Sequence, residues 1–434
     1  MKKALIMLAI SLVILFAVIG YDIVECDGNV IMKRIFKIES DYDSESYETE
    51  PQQFEFRERK LVNTSPDIVT STVEEDKETV ASGDDNETDE GTDDTVRVPD
   101  DDRGYEFYFP LLSEEEKNIY REAYNTFTAV ETGSTIPTAE DEPMNRAILA
   151  LKDDHPELFY LGEIGYTHYT LGGQVQRTTL SVTYTDTKAM IDTKRNMADA
   201  VAQGIISSIP SNADDYTKVK MVYEALIRDV DYNLNAPDNQ TIISALVNKS
   251  SVCAGYSRSM QYILNKVGVP TTIVEGWSKE TGEQHAWNLC KLEDGYYHVD
   301  VTWGDASYSS RKNDIAVNDI NYDYLLVTTE EIERTHGIDS FAEIPRCDLT
   351  DNNYYVREGL MLTQYDENQI REIFSRGYEQ GKKTVSFKCN TLETYDEVYR
   401  QLIRKSGVFD MLSNKDATIT YVTDENQRTL CFWL

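Results

Sequence analysis

Between Ser250 and Gly304 one helical period gives way to three strand periods in quick succession, and this change of rhythm restricts the chain more than any other feature. From Cys253 the apolar side chains recur at Tyr256, Met260, Ile263, Leu264 and Val267, spacings of three and four that turn one helix face inward. Gly268 ends that helix and Pro270 keeps it from resuming. Thr271 to Trp277 then reads as a strand, His285 to Cys290 as a second after a turn near Gly282, and Tyr296 to Thr302 as a third after Asp294-Gly295. The expected outcome is α+β: a helix packed on an antiparallel sheet.

The same stretch carries the groups that a thiol acyl-transfer site uses. Cys253 falls in the first helical turn, where unpaired N–H groups and the positive end of the helix favour a thiolate, with Ser250 and Ser251 in place as caps. Gly255 leaves room beside the sulfur, and the Cys253 N–H is placed to face a developing oxyanion. The bland alternative is a buried cysteine packed as a small hydrophobe. Along the third strand Tyr296, His298, Asp300 and Thr302 share one face, while His285 opens the second strand. A two-residue turn at Asp294-Gly295 pairs Asp300 with Leu289 and His285 with Gly304, so the imidazole and carboxylate meet only through a wider loop, a bulge or strong twist. His298 is the other candidate base. Gln240, with Tyr232 behind it, is the candidate second oxyanion donor, against ordinary loop packing. Trp277, Trp287 and Trp303 line an acyl groove or fill an aromatic core. His155, His168 and His336 have no partners at ligand spacing, and neither a metal, calcium included, nor another cofactor is expected.

Charge narrows the partners. The chain of 434 residues holds 42 basic and 77 acidic residues, a formal −35, which argues against nucleic acid and against docking on anionic lipid. Much of the excess is local, since Asp41 to Asp102 carries 22 acidic residues against 5 basic ones, a net of −17. Lys2 and Lys3 precede an apolar run from Ala4 to Ile19, so residues 1–21 are read as a signal peptide or membrane anchor with the lysines inside and the body exported. Residues 22–103 are expected to be an acidic, disordered spacer. The six cysteines lie far apart without C-x-x-C pairs, which indicates neither a disulfide miniprotein nor a zinc ribbon.

Order is expected from Tyr105. Ser113 with Glu116 forms a capping box for a helix to about Val130, and Pro143 opens a second that ends before His155-Pro156. A hairpin across Gly172-Gly173 and an amphipathic helix over 187–207 complete a helical N-terminal shoulder over 104–212, and a second amphipathic helix, 214–230, follows it. The catalytic core is assigned to 213–345, and 346–434 to a small C-terminal α+β unit. In the latter, 384–389 reads as a strand and 417–423 with 428–433 as a closing hairpin.

Three blocks, V-C-A-G-Y-S-R from Val252, H-A-W-N from His285 and Y-H-V-D-V-T-W from Tyr297, resemble in order and spacing the core of the transglutaminase-like superfamily. The resemblance covers about Lys218 to Asp305 and extends more weakly to Asp154–Tyr160 and Asn353–Gly359, which look like exported bacterial members. It implies a papain-like core with Cys253 as nucleophile, His285 as general base and Asp300 as the carboxylate that orients the imidazole. The implied activity is amide cleavage or transfer on extracellular protein or peptide, with hydrolysis favoured. A non-catalytic surface module with the same fold is the alternative, and removal of amide-linked glycans is a third possibility.

Overall fold

The computed structural model describes residues 69–75, 103–136, 140–171, 174–305, 320–413 and 419–434. The expected N-terminal signal or anchor lies outside these residues, as do most of the acidic spacer and the Gly172-Gly173 turn. No helix among the described residues is long and apolar enough to cross a membrane. Two compact units are present, one spanning Leu61–Gly359 and one that includes Leu360–Leu434.

The larger unit begins with strand β1 (Val69–Glu75), which lies inside the segment expected to be spacer, so that expectation fails for these seven residues. Helix α1 (Glu114–Ala129) starts where the capping box places it: Ser113 Oγ accepts from Glu116 N at 3.3 Å and Glu116 Oε2 accepts from Ser113 N at 2.7 Å. β2 (Gly133–Ile136), helix α2 (Asp141–Asp154), β3 (Leu161–Leu171) and β4 (Gln174–Tyr184) follow, and the first sheet has the order β1-β3-β4-β2. Asp154 ends α2 as a buried anchor, accepting the N–H groups of Phe107, Tyr108 and Phe109 at 2.8 to 3.0 Å and the Tyr120 hydroxyl at 3.1 Å. His155 is buried between Glu157 (2.7 Å) and Glu106 (3.2 Å), while His168 is held by Thr178 and Asp141; these are structural histidines.

Helices α3 (Lys188–Ser208) and α4 (Asp215–Asp229) follow, the second capped by Asp214, whose carboxylate accepts from Thr217 N at 2.9 Å. Next come β5 (Asp231–Tyr232), a π-helical turn (Ile243–Val247), β6 (Ser250–Ser251) and helix α5 (Cys253–Lys266). The central sheet comprises β7 (Thr271–Ser278), β8 (Gln284–Lys291), β9 (Tyr296–Val299) and, after two short helices α6 (Val301–Gly304) and α7 (Thr329–Ile332), β10 (His336–Ile338). Its order is β10-β7-β8-β9 and all its pairings are antiparallel. Residues 324–327 make an isolated bridge from Val327 to His298, and Leu326 sits at φ 57°, a conformation that breaks an extended run. Short helix α8 (Tyr354–Arg357) closes this unit.

One hydrophobic cluster joins Tyr120, Phe127, Ile148 and Leu180 of the shoulder to Val274, Trp287 and Leu289 of the central sheet. Shoulder and core therefore fold as one body, and residues 346–359, assigned by sequence to the appendage, belong to it.

The second unit pairs β11 (Met361–Leu362) with β12 (Thr384–Cys389), then β14 (Thr429–Trp433) and β13 (Tyr421–Asp424), across helices α9 (Glu367–Glu379) and α10 (Leu392–Tyr399). Its core includes Ile370, Phe374, Phe387 and Phe432. Strand β12 falls where alternation predicts it and β14 within a residue, while the first hairpin strand runs over Tyr421–Asp424 rather than 417–423 and β11 was not expected.

Candidate active site

The loop between β8 and β9 decides whether imidazole and carboxylate can meet. Leu289 pairs with His298 and Asn288 with Val299, which leaves four residues, 292–295, to turn the chain, closed by Leu292 N donating to Gly295 O at 2.8 Å. The register expected from a two-residue turn is thus wrong. The wider loop moves Asp300 from a position opposite Leu289 to one opposite Trp287, a diagonal neighbour of His285 and within reach of its side chain. β9 also ends at Val299, so Thr302 is not strand but the first turn of α6, capped by Asp300: its Oδ1 accepts from Thr302 N at 2.9 Å and Trp303 N at 3.1 Å.

The other carboxylate oxygen, Asp300 Oδ2, lies 2.7 Å from His285 Nε2. The remaining nitrogen of His285 is left for the thiol, and His285 lies near enough to Cys253 to act on its ionisation. Cys253 is the first residue of α5 and is only partly buried. Ser250 and Ser251 do not cap this helix. They form β6 against β5, Val252 takes the N-cap position with no side-chain bond, and the first-turn N–H groups are not covered by a side-chain cap. Ser251 Oγ instead donates to Asn239 O at 2.6 Å and meets Ser244 Oγ at 2.7 Å.

Gly255 serves that serine network rather than giving room to the sulfur. A Cβ there would fall 1.9 Å from Ser251 Oγ and 3.0 Å from Asn239 O. Gly255→Ala is therefore expected to cost about 1–3 kcal/mol by overpacking, read as a lower denaturation midpoint. An unchanged midpoint would show that the loop before Cys253 yields freely.

Electrostatics follow from these contacts. Burial pushes the Cys253 thiol up, but the hydrogen bond and charge of His285 outweigh it, with the Ala286 N–H adding to them, and the thiol is held below its ordinary value. Burial disfavours the His285 imidazolium; the Asp300 charge and hydrogen bond overcome this and, with Cys253, raise it to about 10. Asp300 is fully buried, yet its partners, His285 first, hold it well below the usual carboxylate range. The pair is thus set toward thiolate and imidazolium.

His298, the other candidate base, is excluded by its bonds. Trp287 Nε1 donates to its Nδ1 at 3.1 Å, its Nε2 lies 3.1 Å from Thr329 Oγ1, and burial, with the charge of His336, pushes it down to about 3. The three tryptophans divide. Trp287 is fully buried and stacks on His285 at 6.0 Å, so it is core; Trp303 lies against His285 at 6.0 Å; Trp277 is exposed, and its ring covers Gly337. Gln240 is held beside α5 by its carbonyl, which accepts from Arg258 Nη1 at 2.9 Å, and the Tyr232 ring lies 6.5 Å from Tyr256.

Sequence reasoning set His336 aside as a histidine without partners, and the structure corrects that. His336 Nε2 lies 3.0 Å from the same Asp300 Oδ2. His285, Asp300 and His336 bring their polar atoms within 4.8 Å of one another, so His336 does have partners, and those atoms are occupied by hydrogen bonds within the group. No spacing signal links positions so far apart on a three-residue edge strand.

A sequence model of the transglutaminase-like superfamily matches residues 199–301. None of the curated proteins matches the chain. Among solved structures, it is similar to a TGase (12% identity over 32% of this chain and 50% of that one, TM-score 0.24). It is also similar to a protein from Cytophaga hutchinsonii with a provisional cysteine-protease assignment (12%, 32% and 62%, TM-score 0.23) and to the periplasmic domain of TgpA from Pseudomonas aeruginosa (21%, 30% and 57%, TM-score 0.20). The chain spans between 50% and 62% of the length of these structures. Residues 199–301, which carry Cys253, His285 and Asp300, form a transglutaminase-like core.

Proposed function

We propose that this chain is a cysteine-dependent enzyme, held outside the cytoplasm, that cleaves or transfers amide acyl groups of protein or peptide through a thioester on Cys253. The observation that supports it is His285 held by Asp300 at 2.7 Å while its hydrogen-bonding and charge influence lowers the Cys253 thiol at the start of α5. In the reaction, the Cys253 thiolate attacks the amide carbonyl carbon and the carbonyl oxygen takes the electron pair. The Cys253 N–H faces that oxyanion, with Gln240 as second donor and Tyr232 behind it. The tetrahedral species collapses as the C–N bond breaks and His285 gives its proton to the leaving amine. Water then attacks the thioester, His285 takes back a proton, and carboxylic acid and thiolate are released. A second amine in place of water gives transfer; water is favoured, because no amine-acceptor pocket marks the sequence. Export rests on Lys2, Lys3 and the apolar run that follows them.

Iodoacetamide labelling tests the nucleophile. An ordinary thiol with a pKa of about 8.5 is almost all protonated at pH 5.5. Cys253 is expected to alkylate about tenfold faster than a free thiol there, even though a less basic thiolate is intrinsically the weaker nucleophile. A rate equal to the free thiol's would remove the activated nucleophile and leave the fold as a non-catalytic surface module.

A further inference from the structure

Asp300 answers to two imidazoles. His336 opens β10 on the edge of the central sheet and is fully buried. Its Nε2 reaches Asp300 Oδ2 at 3.0 Å, the oxygen that also meets His285 Nε2 at 2.7 Å, and the two rings lie 5.2 Å apart. Trp303 at 4.6 Å, Trp287 at 5.0 Å and Tyr324 at 5.8 Å enclose the ring. The titratable and charged groups that face it are Asp300, His285, His298 on β9 and Tyr324.

Burial keeps His336 neutral: it outweighs the pull of Asp300, and the charge of His285 adds to it. A neutral imidazole has one proton, and an ionised Asp300 requires it on Nε2, because otherwise two lone pairs would oppose each other at 3.0 Å. Thr335 Oγ1 reaches both Ile332 O at 3.4 Å and His336 Nδ1 at 2.8 Å; with the ring proton on Nε2, the shorter contact is its donation to Nδ1, which supports the tautomer that Asp300 selects.

We propose that His336 is a positioning residue of the thiol site, its Nε2–H sharing Asp300 Oδ2 with His285 and so limiting how tightly the carboxylate holds the imidazolium proton. This rests on the reading of Cys253, His285 and Asp300 as a thiol site. With the N–H removed, Asp300 concentrates its charge on His285, and the imidazolium loses its proton at higher pH and becomes a poorer acid toward a leaving amine.

The test is the pH profile of iodoacetamide alkylation at Cys253 in the full chain, whose upper inflection reports deprotonation of His285. His336→Phe fills the same space without a donor and is expected to raise that inflection by about one unit, the worth of one hydrogen bond to a charged group. His336→Gln, which keeps an N–H, should return it toward wild type. Thr335→Val, which releases the tautomer, should shift it the same way by less, and it decides the matter should the Phe variant not fold. A wild-type inflection in both His336→Phe and Thr335→Val, or a Gln variant no nearer to wild type than the Phe variant, overturns the proposal. A wild-type protein whose Cys253 alkylates like a free thiol instead overturns the reading of the site, so the two failures are distinct.

Discussion

Cys253→Ala is expected to lower turnover of a peptide amide by on the order of a million-fold, the loss typical when the nucleophile of a coupled catalytic group is removed. The size follows from the role: without the sulfur there is no thioester, and His285 and Asp300 have no attacking atom to serve. The fold should survive, because Cys253 is only partly buried and its backbone position at the start of α5 does not depend on the side chain. A peptide screen with mass-spectrometric readout checks this. A product gaining one oxygen and two hydrogens marks hydrolysis, a product joined to an added amine marks transfer, and loss of an amide-linked glycan marks the third substrate class. Equal product formation by wild type and Cys253→Ala would remove the cysteine from the chemistry altogether.

How far the site could be read from sequence follows from which contacts are local. The helix from Cys253, the stop at Gly268 and the strands around His285 and Tyr296 are set by periodicity within a dozen residues, and they appear where the pattern places them. The register did not follow, because Asp294-Gly295 imitates a tight turn while Leu292 N closes a four-residue loop on Gly295 O. That difference decides whether His285 lies four positions or two from the residue opposite Asp300. The caps were misplaced for a related reason. Ser250 and Ser251 are spent on β6 and on Asn239, contacts that depend on the chain returning from Asp231. The partner of His336 was not legible, since nothing local separates its three-residue edge strand from a loop.

Asp300→Asn should be severely damaging, about a hundredfold less so than loss of the cysteine, even though an asparagine can orient an imidazole in other settings. Here the two oxygens are not equivalent. Oδ1 is fixed as acceptor of the backbone N–H groups of Thr302 and Trp303, and those donors cannot rotate away. An asparagine must therefore place its oxygen toward them and its NH2 toward His285 and His336. His285 Nε2 then becomes the acceptor, its proton moves to the nitrogen facing Cys253, and the ring can no longer take a proton from the thiol. The expected loss is on the order of 10,000-fold in kcat, the magnitude seen when a wrong tautomer is imposed with geometry intact. The pH dependence gives the sign independently. In the wild type the reactive ion pair appears as pH rises through the lowered Cys253 value and disappears as pH passes about 10, where His285 gives up its proton. Without the charge of Asp300 the upper limit falls, the thiol loses its imidazolium partner and its own value rises, so the window narrows from both sides. An Asp300→Asn variant with wild-type kcat and an unmoved alkaline limb would mean that the carboxylate serves only to cap α6.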